Sequence, residues 1–183
     1  MMGMRIRKLA MVALIGGGLL LPGAGVLAHD ATPEAGSAVA SPAAAGSVAF
    51  SGLLDQAGSL TIAELATHPA ETVDVTYQTK KGDETHSFTG TRLWDLLDGM
   101  GIQLPADAKN GQLQLVVKVS ASDGYITVIS LGEIDPSFGA SPVLLAWEQD
   151  GEPLTAPRLV VPGDVHGGRY VSDVISIEVL TVG

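Results

Sequence analysis

Two short runs, Leu115-Val116-Val117 and Val143-Leu144-Leu145, are apolar at every position instead of at alternate ones. A strand of this kind has no face to turn to water, so both faces of its sheet must be covered. Strand patterns recur around these runs, at residues 113–120, 125–130, 143–148, 158–161 and 175–182. Earlier in the chain Val73, Val75 and Tyr77 alternate with Asp74 and Thr76, the period of a half-buried strand. Lys80-Lys81-Gly82-Asp83 turns that strand back into a short one at residues 86–88, and Gln149-Asp150-Gly151 makes a second tight connection. Helical signals are few. Thr61-Ile62-Ala63-Glu64 is a capping box with Leu60 as its hydrophobic staple, opening a helix that ends before Pro69. Thr91 is expected to cap a second helix, whose Leu93, Trp94, Leu96, Leu97 and Met100 form one apolar stripe closed by Gly99 or Gly101. Strands with a few short helices between them predict an α+β domain of mixed β-sheets over residues 48–183, and no internal repeat suggests a solenoid.

Charge narrows the partners. The chain has 183 residues, with 10 Lys and Arg against 20 Asp and Glu. Arg5, Arg7 and Lys8 stand in the first eight residues, so the rest carries seven positive charges against twenty negative. Such a surface repels phosphate backbones and anionic headgroups, which excludes nucleic acid and peripheral membrane binding. There is no cysteine, and therefore no disulfide, thiol catalysis, cysteine-based zinc site or iron–sulfur ligation.

The N-terminus reads as an export signal. A basic start is followed by an uncharged apolar stretch from Leu9 to Leu21, then Pro22 and the small residues before Ala28. The pattern predicts a signal peptide over residues 1–28, cleaved near Ala28. The competing reading is a retained anchor, weakened by glycines at 16, 17, 18, 23 and 25. No adjacent arginine pair occurs, so the signal is of the kind that threads an unfolded chain. Residues 29–47 are Ala, Ser, Pro and Gly with little to bury, the composition of a disordered linker.

Local catalytic motifs are missing. The histidines at 29, 68, 86 and 166 are far apart, with no H-E-x-x-H and no G-x-S-x-G, so no local metal site or nucleophile elbow is expected. The informative stretch is Val160-Val161-Pro162-Gly163-Asp164-Val165-His166-Gly167-Gly168-Arg169-Tyr170, a glycine-rich loop leaving a strand with one histidine and one arginine. Its backbone can approach a ligand closely, and Arg169 can hold an anion or stack on a flat ring; the alternative is a plain solvated loop.

Four segments in order resemble the molybdopterin-binding domain of the sulfite oxidase family. They are Thr89-Gly90-Thr91-Arg92-Leu93-Trp94-Asp95-Leu96-Leu97, Ser122-Asp123-Gly124-Tyr125, Leu145-Ala146-Trp147-Glu148-Gln149-Asp150-Gly151-Glu152-Pro153-Leu154, and Arg158-Leu159-Val160-Val161-Pro162-Gly163 with Gly168-Arg169-Tyr170-Val171. The resemblance implies the sulfite oxidase-like fold and a cleft that takes a pterin or molybdopterin. It equates Tyr125 with the family's active-site tyrosine and Arg169 with its pterin-loop arginine. It also puts Thr79, after Tyr77-Gln78, where the family has its molybdenum-ligating cysteine. A threonine hydroxyl does not ionise near neutral pH and is too hard to replace a thiolate, so no molybdenum is expected. The family's phosphate-binding lysine is replaced around Ser172-Asp173, and the His-Gly segment ahead of Pro157 is missing.

Three functions compete on these grounds. The first is an exported pterin-binding or sensing protein that reports to a membrane-bound signalling partner, with Thr79, Asp123, Tyr125, His166 and Arg169 around a small pterin-like ligand. The second is a molybdopterin-dependent oxidoreductase, disfavoured because enzymes of this family cross membranes folded around their cofactor. The third is a structural interaction module whose cleft is filled by its own side chains.

Overall fold

The computed structural model describes residues 46–182; the expected signal peptide and all but the last two residues of the expected linker lie outside them. Among the described residues nine strands form two sheets. The first joins β1 (Ser47–Gly52), β2 (Gly58–Thr61), β5 (Leu115–Ala121), β6 (Ile126–Ser130) and β9 (Val174–Thr181) in the order β2-β1-β9-β5-β6. Its β1–β9 pair is parallel and its other pairs are antiparallel. The second sheet is wholly antiparallel, in the order β3-β4-β7-β8, from β3 (Glu71–Thr79), β4 (Gly82–Arg92), β7 (Leu144–Gln149) and β8 (Glu152–Val160). Helices α1 (Ile62–Leu65), α2 (Leu93–Gly99) and α3 (Leu131–Ile134) are short, as the α+β reading requires. None of the described helices is long and apolar enough to cross a membrane.

Two cores explain the run at Val143-Leu144-Leu145. Leu145 and Leu159, directly paired across β7 and β8, face the main core with Val117, Val179, Leu93 and Leu97. Leu144 and Val160, the next pair along, face a second core with Val75, Tyr77, Phe88 and Tyr170. The second sheet is therefore apolar on both faces. In β5 the continuous run behaves differently: Leu115 and Val117 are fully buried, whereas Val116 shares a half-exposed face with the Lys118–Glu178 ion pair.

Several local expectations hold. Thr61 closes a complete capping box with Glu64, whose carboxyl is held below the usual range first by the Thr61 backbone N–H and then by its hydroxyl. The stripe of α2 buries Leu93, Leu96 and Leu97, and Gly101, at φ 76°, takes the left-handed position after the helix. The turn between β7 and β8 has positive φ at both Asp150 and Gly151, the geometry that suits a two-residue hairpin loop.

Other expectations are corrected. Thr91 does not cap α2: it stays in β4, paired with Leu145 and completely buried, so Arg92 takes the capping position without a side-chain bond. The strand expected at residues 86–88 is eleven residues long because β4 has partners on both edges. Strand β8 begins at Glu152, well before 158; its Pro153 and Pro157 are tolerated because β8 is an edge strand. Residues 111–114 form a 3₁₀ turn instead of opening β5.

Gly90 sits at the irregularity where β4 shifts register against β7. A Cβ there would come within 2.6 Å of the Ala146 Cα and the Leu145 carbonyl oxygen. Neither atom can move without opening the sheet. Gly90→Ala is expected to destabilise the fold by about 1–3 kcal/mol or more, read as a lower urea midpoint with an unchanged slope.

Candidate functional site

The register of β3 on β4 builds the site. Val73, Val75, Tyr77 and Thr79 point to one face, opposite Phe88, His86, Glu84 and Gly82 respectively. The middle of this face belongs to the second core, and its far end is polar. Arg158, paired with Ala146 across β7, joins the same face: its guanidinium lies 5.2 Å from the Phe88 ring centre and donates to the Tyr77 hydroxyl at 3.3 Å. Tyr77 stacks on Tyr170 at 4.2 Å, and both are almost wholly buried, at 4% and 6% exposure. Burial, then the nearby Asp164, raises the Tyr170 phenol above its ordinary pKa.

The glycine loop closes over this end. The Gln78 N–H donates to the Val165 carbonyl at 2.8 Å, and Gln78 and His166 form a parallel bridge, so the loop meets the outer edge of β3 at its C-terminal end. Gly167 lies against Tyr77 so closely that a Cβ would stand 3.0 Å from the ring. Beneath the loop is a cleft of about 590 Å³, lined by Tyr77, Thr79, Lys80, Glu84, Arg158 and His166 with Gln78 and the Gly167-Gly168 backbone. Within it the Thr79 hydroxyl lies 2.9 Å from the Glu84 carboxylate and 3.1 Å from the Gly82 carbonyl, and accepts the Lys81 N–H.

Arg158 is unusual among the cations of the described residues. Arg92, Lys118 and Arg169 have carboxylate partners, and Lys80, Lys81 and Lys109 are exposed. Arg158 is half-buried and has no carboxylate partner; its neighbours are neutral, Gln149 and Tyr77, and its buried Nε has no hydrogen bond. Gln149 continues the network to His86, whose Nδ1 lies 2.7 Å from Asp150.

The five residues singled out from the sequence are divided. Thr79 and His166 line the larger cleft. Asp123 and Tyr125 line a smaller one of about 340 Å³ with Tyr170, Ser172 and Asp173, on the other side of the shared Gly167-Gly168 backbone. There the Tyr125 hydroxyl donates to the Gly168 carbonyl at 2.7 Å, and Asp123 accepts the Tyr125 N–H. Arg169 lines neither cleft. Its Nε and Nη2 donate to Asp164 at 2.8 and 2.6 Å, and its Nη1 reaches both oxygens of Glu133 in α3. These carboxylates raise its pKa further above the ordinary arginine value, the Asp164 hydrogen bonds most of all. The guanidinium thus anchors the loop, with its charge shared between two carboxylates. Arg158, quoted in the sequence only as the start of a strand and of one resembling segment, supplies a half-buried cation to the cleft, beside the exposed Lys80.

A sheet that is apolar on both faces and a glycine loop over a polar-ended cleft make an α+β domain with room for a small molecule. The model for the oxidoreductase molybdopterin-binding domain matches residues 39–182. The chain belongs to this family. Among solved structures, the sulfane dehydrogenase SoxCD of Paracoccus pantotrophus superposes with a TM-score of 0.59 at 18% identity, over 73% of this chain and 37% of that one. At that identity the likeness concerns the fold, and the chain spans little more than a third of its relative's length. No curated protein sequence matches the chain.

The Asp150 carboxyl is held below its ordinary 3.8, first by the Ser87 N–H and then by His86. The folded state therefore binds this proton more weakly than the unfolded chain does. The resulting stabilisation is complete above pH 3.8 and is lost as pH falls through the lowered folded value. Asp150→Asn preserves the turn, because asparagine also tolerates positive φ. The stability gap between wild type and Asp150→Asn is expected to be largest near neutral pH and to close in acid, measured by urea unfolding across pH.

Proposed function

We propose that this domain binds a free pterin, without a metal, and serves as an exported binding or sensing protein. The observation that carries the reading is Arg158: a half-buried guanidinium with no carboxylate partner, in a cleft that also holds Glu84, Thr79 and His166. A cleft of about 590 Å³ falls in the range that small-molecule sites occupy. A pterin has an aromatic face and an edge of alternating donors and acceptors, and these side chains offer partners for both. His166 and the Gly167-Gly168 backbone form the wall, with Tyr125 bracing it from the smaller cleft, and Arg169 positions the loop.

The donor set does not fit the metal-bearing form of the cofactor. Thr79, where the resemblance puts the thiolate, offers a neutral hydroxyl engaged with Glu84, and the chain has no cysteine to substitute. The smaller cleft carries Asp123 and Asp173, which disfavour a phosphate. The charge-rich start and apolar stretch before Ala28 support export, and the acidic surface suits a basic segment of a membrane-bound signalling partner.

Titration of the protein with tetrahydrobiopterin and with molybdopterin tests the reading. Micromolar or tighter binding of the first is expected. Losing a partner for a buried polar edge costs roughly 1–3 kcal/mol, so Arg158→Met should weaken binding by about 5- to 150-fold, while Lys109→Ala leaves it unchanged. Binding no tighter than millimolar by either ligand would favour a structural interaction module. Stoichiometric molybdenum in protein from a replete host would favour the oxidoreductase.

A further inference from the structure

We infer that Glu84 selects the ligand, by reading a ring edge on which an amino group and a ring N–H stand side by side; this rests on the pterin reading of the cleft. Glu84 is the one carboxylate among the residues lining the larger cleft. It stands directly across the β3–β4 ladder from Tyr77, so it shares a face with the ring at the floor of the cleft. The other charged groups there, Arg158 and Lys80, are donors only, and an ionised carboxylate is an acceptor only.

The two oxygens of Glu84 are unequally used. Oε1 lies 2.9 Å from the Thr79 hydroxyl. Oε2 lies 3.6 Å from His86 Nε2, beyond hydrogen-bond length. The carboxylate therefore keeps acceptor capacity on both oxygens. Two parallel N–H groups, separated as in an amidine-like N–C–N unit, match the spacing of a carboxylate's oxygens, as the Arg–carboxylate fork does. A 2-amino-4-oxopteridine carries that pair at its amino group and N3. A 2,4-dioxopteridine presents a carbonyl in place of the amino group, and its oxygen would face the carboxylate with no proton between them. Arg158, linked to the same Tyr77 through its hydroxyl, complements the acceptor atoms that remain. The cleft thus has a fixed acceptor and a fixed donor, an arrangement that orients such a ring in one sense.

The test uses the full-length protein and two fluorescent probes, pterin and lumazine, which differ at the 2-position. A hydrogen bond to a charged partner that is made by one ligand and opposed in the other predicts pterin binding about 10- to 150-fold tighter than lumazine. In Glu84→Gln, whose carboxamide can donate as well as accept, that preference is expected to shrink to about threefold or less. The wild-type comparison stands even if the variant fails to fold. Equal binding of the two probes by wild type would overturn the inference while leaving the pterin reading intact. A preference that survives in folded Glu84→Gln would also overturn it, since another group would then read the edge. Failure of both probes to bind would remove the pterin reading itself.

Discussion

The cleft depends on one backbone event, the return of the chain after β8 to the outer edge of β3. A bond from Gln78 to Val165 and the bridge to His166 hold it there. Without that return Tyr77 and Tyr170 would not stack, and Gly167 and Gly168 would wall neither cleft. The return is a long-range closure whose entropy must be offset locally. Arg169 provides part of the offset, tying the loop to its own Asp164 and to Glu133 of α3. The ion cluster thereby couples the roof over the second sheet to a helix that follows the edge strand of the first.

That division of labour between the two arginines explains how polar groups survive in an acidic domain with few cations. Arg169 has two carboxylates and a fixed position. Arg158 has a ring beneath it and neutral partners, so its charge remains available to whatever enters the cleft. A half-buried charge without a counter-ion is costly in a protein interior, and its retention at the polar end of an otherwise apolar face is what marks the site.

Much of the scaffold was legible in the sequence, because it rests on local periodicity. The alternation through Val73, Val75 and Tyr77, the capping box at Thr61 and the stripe of α2 each involve neighbours close in the chain. Strands β1 and β2 were harder to read, since Ser47–Gly52 and Gly58–Thr61 are short and rich in Ser and Gly, and become strands only through pairing with each other and, for β1, with β9. Helix α3 is a single turn, too short for any period to register. At the site, Thr79 and His166 were reachable because each stands in a motif. The task of Arg169 was misjudged because its strongest tie outside the loop is to a residue 36 positions away. Asp164, only five residues before it, was the available clue. The prolines hid only the first part of β8, and Arg158 was passed over because nothing in the local sequence shows that its guanidinium has no carboxylate partner.

Those prolines have a consequence of their own. The second sheet has two outer edges: β3, which the returning loop meets at Gln78, and β8, where Pro153 and Pro157 withhold two amide donors. A neighbouring chain that approaches β8 therefore meets an interrupted row of backbone partners. The same prolines that break the strand pattern in the sequence guard the β8 edge of this apolar sheet against templated growth.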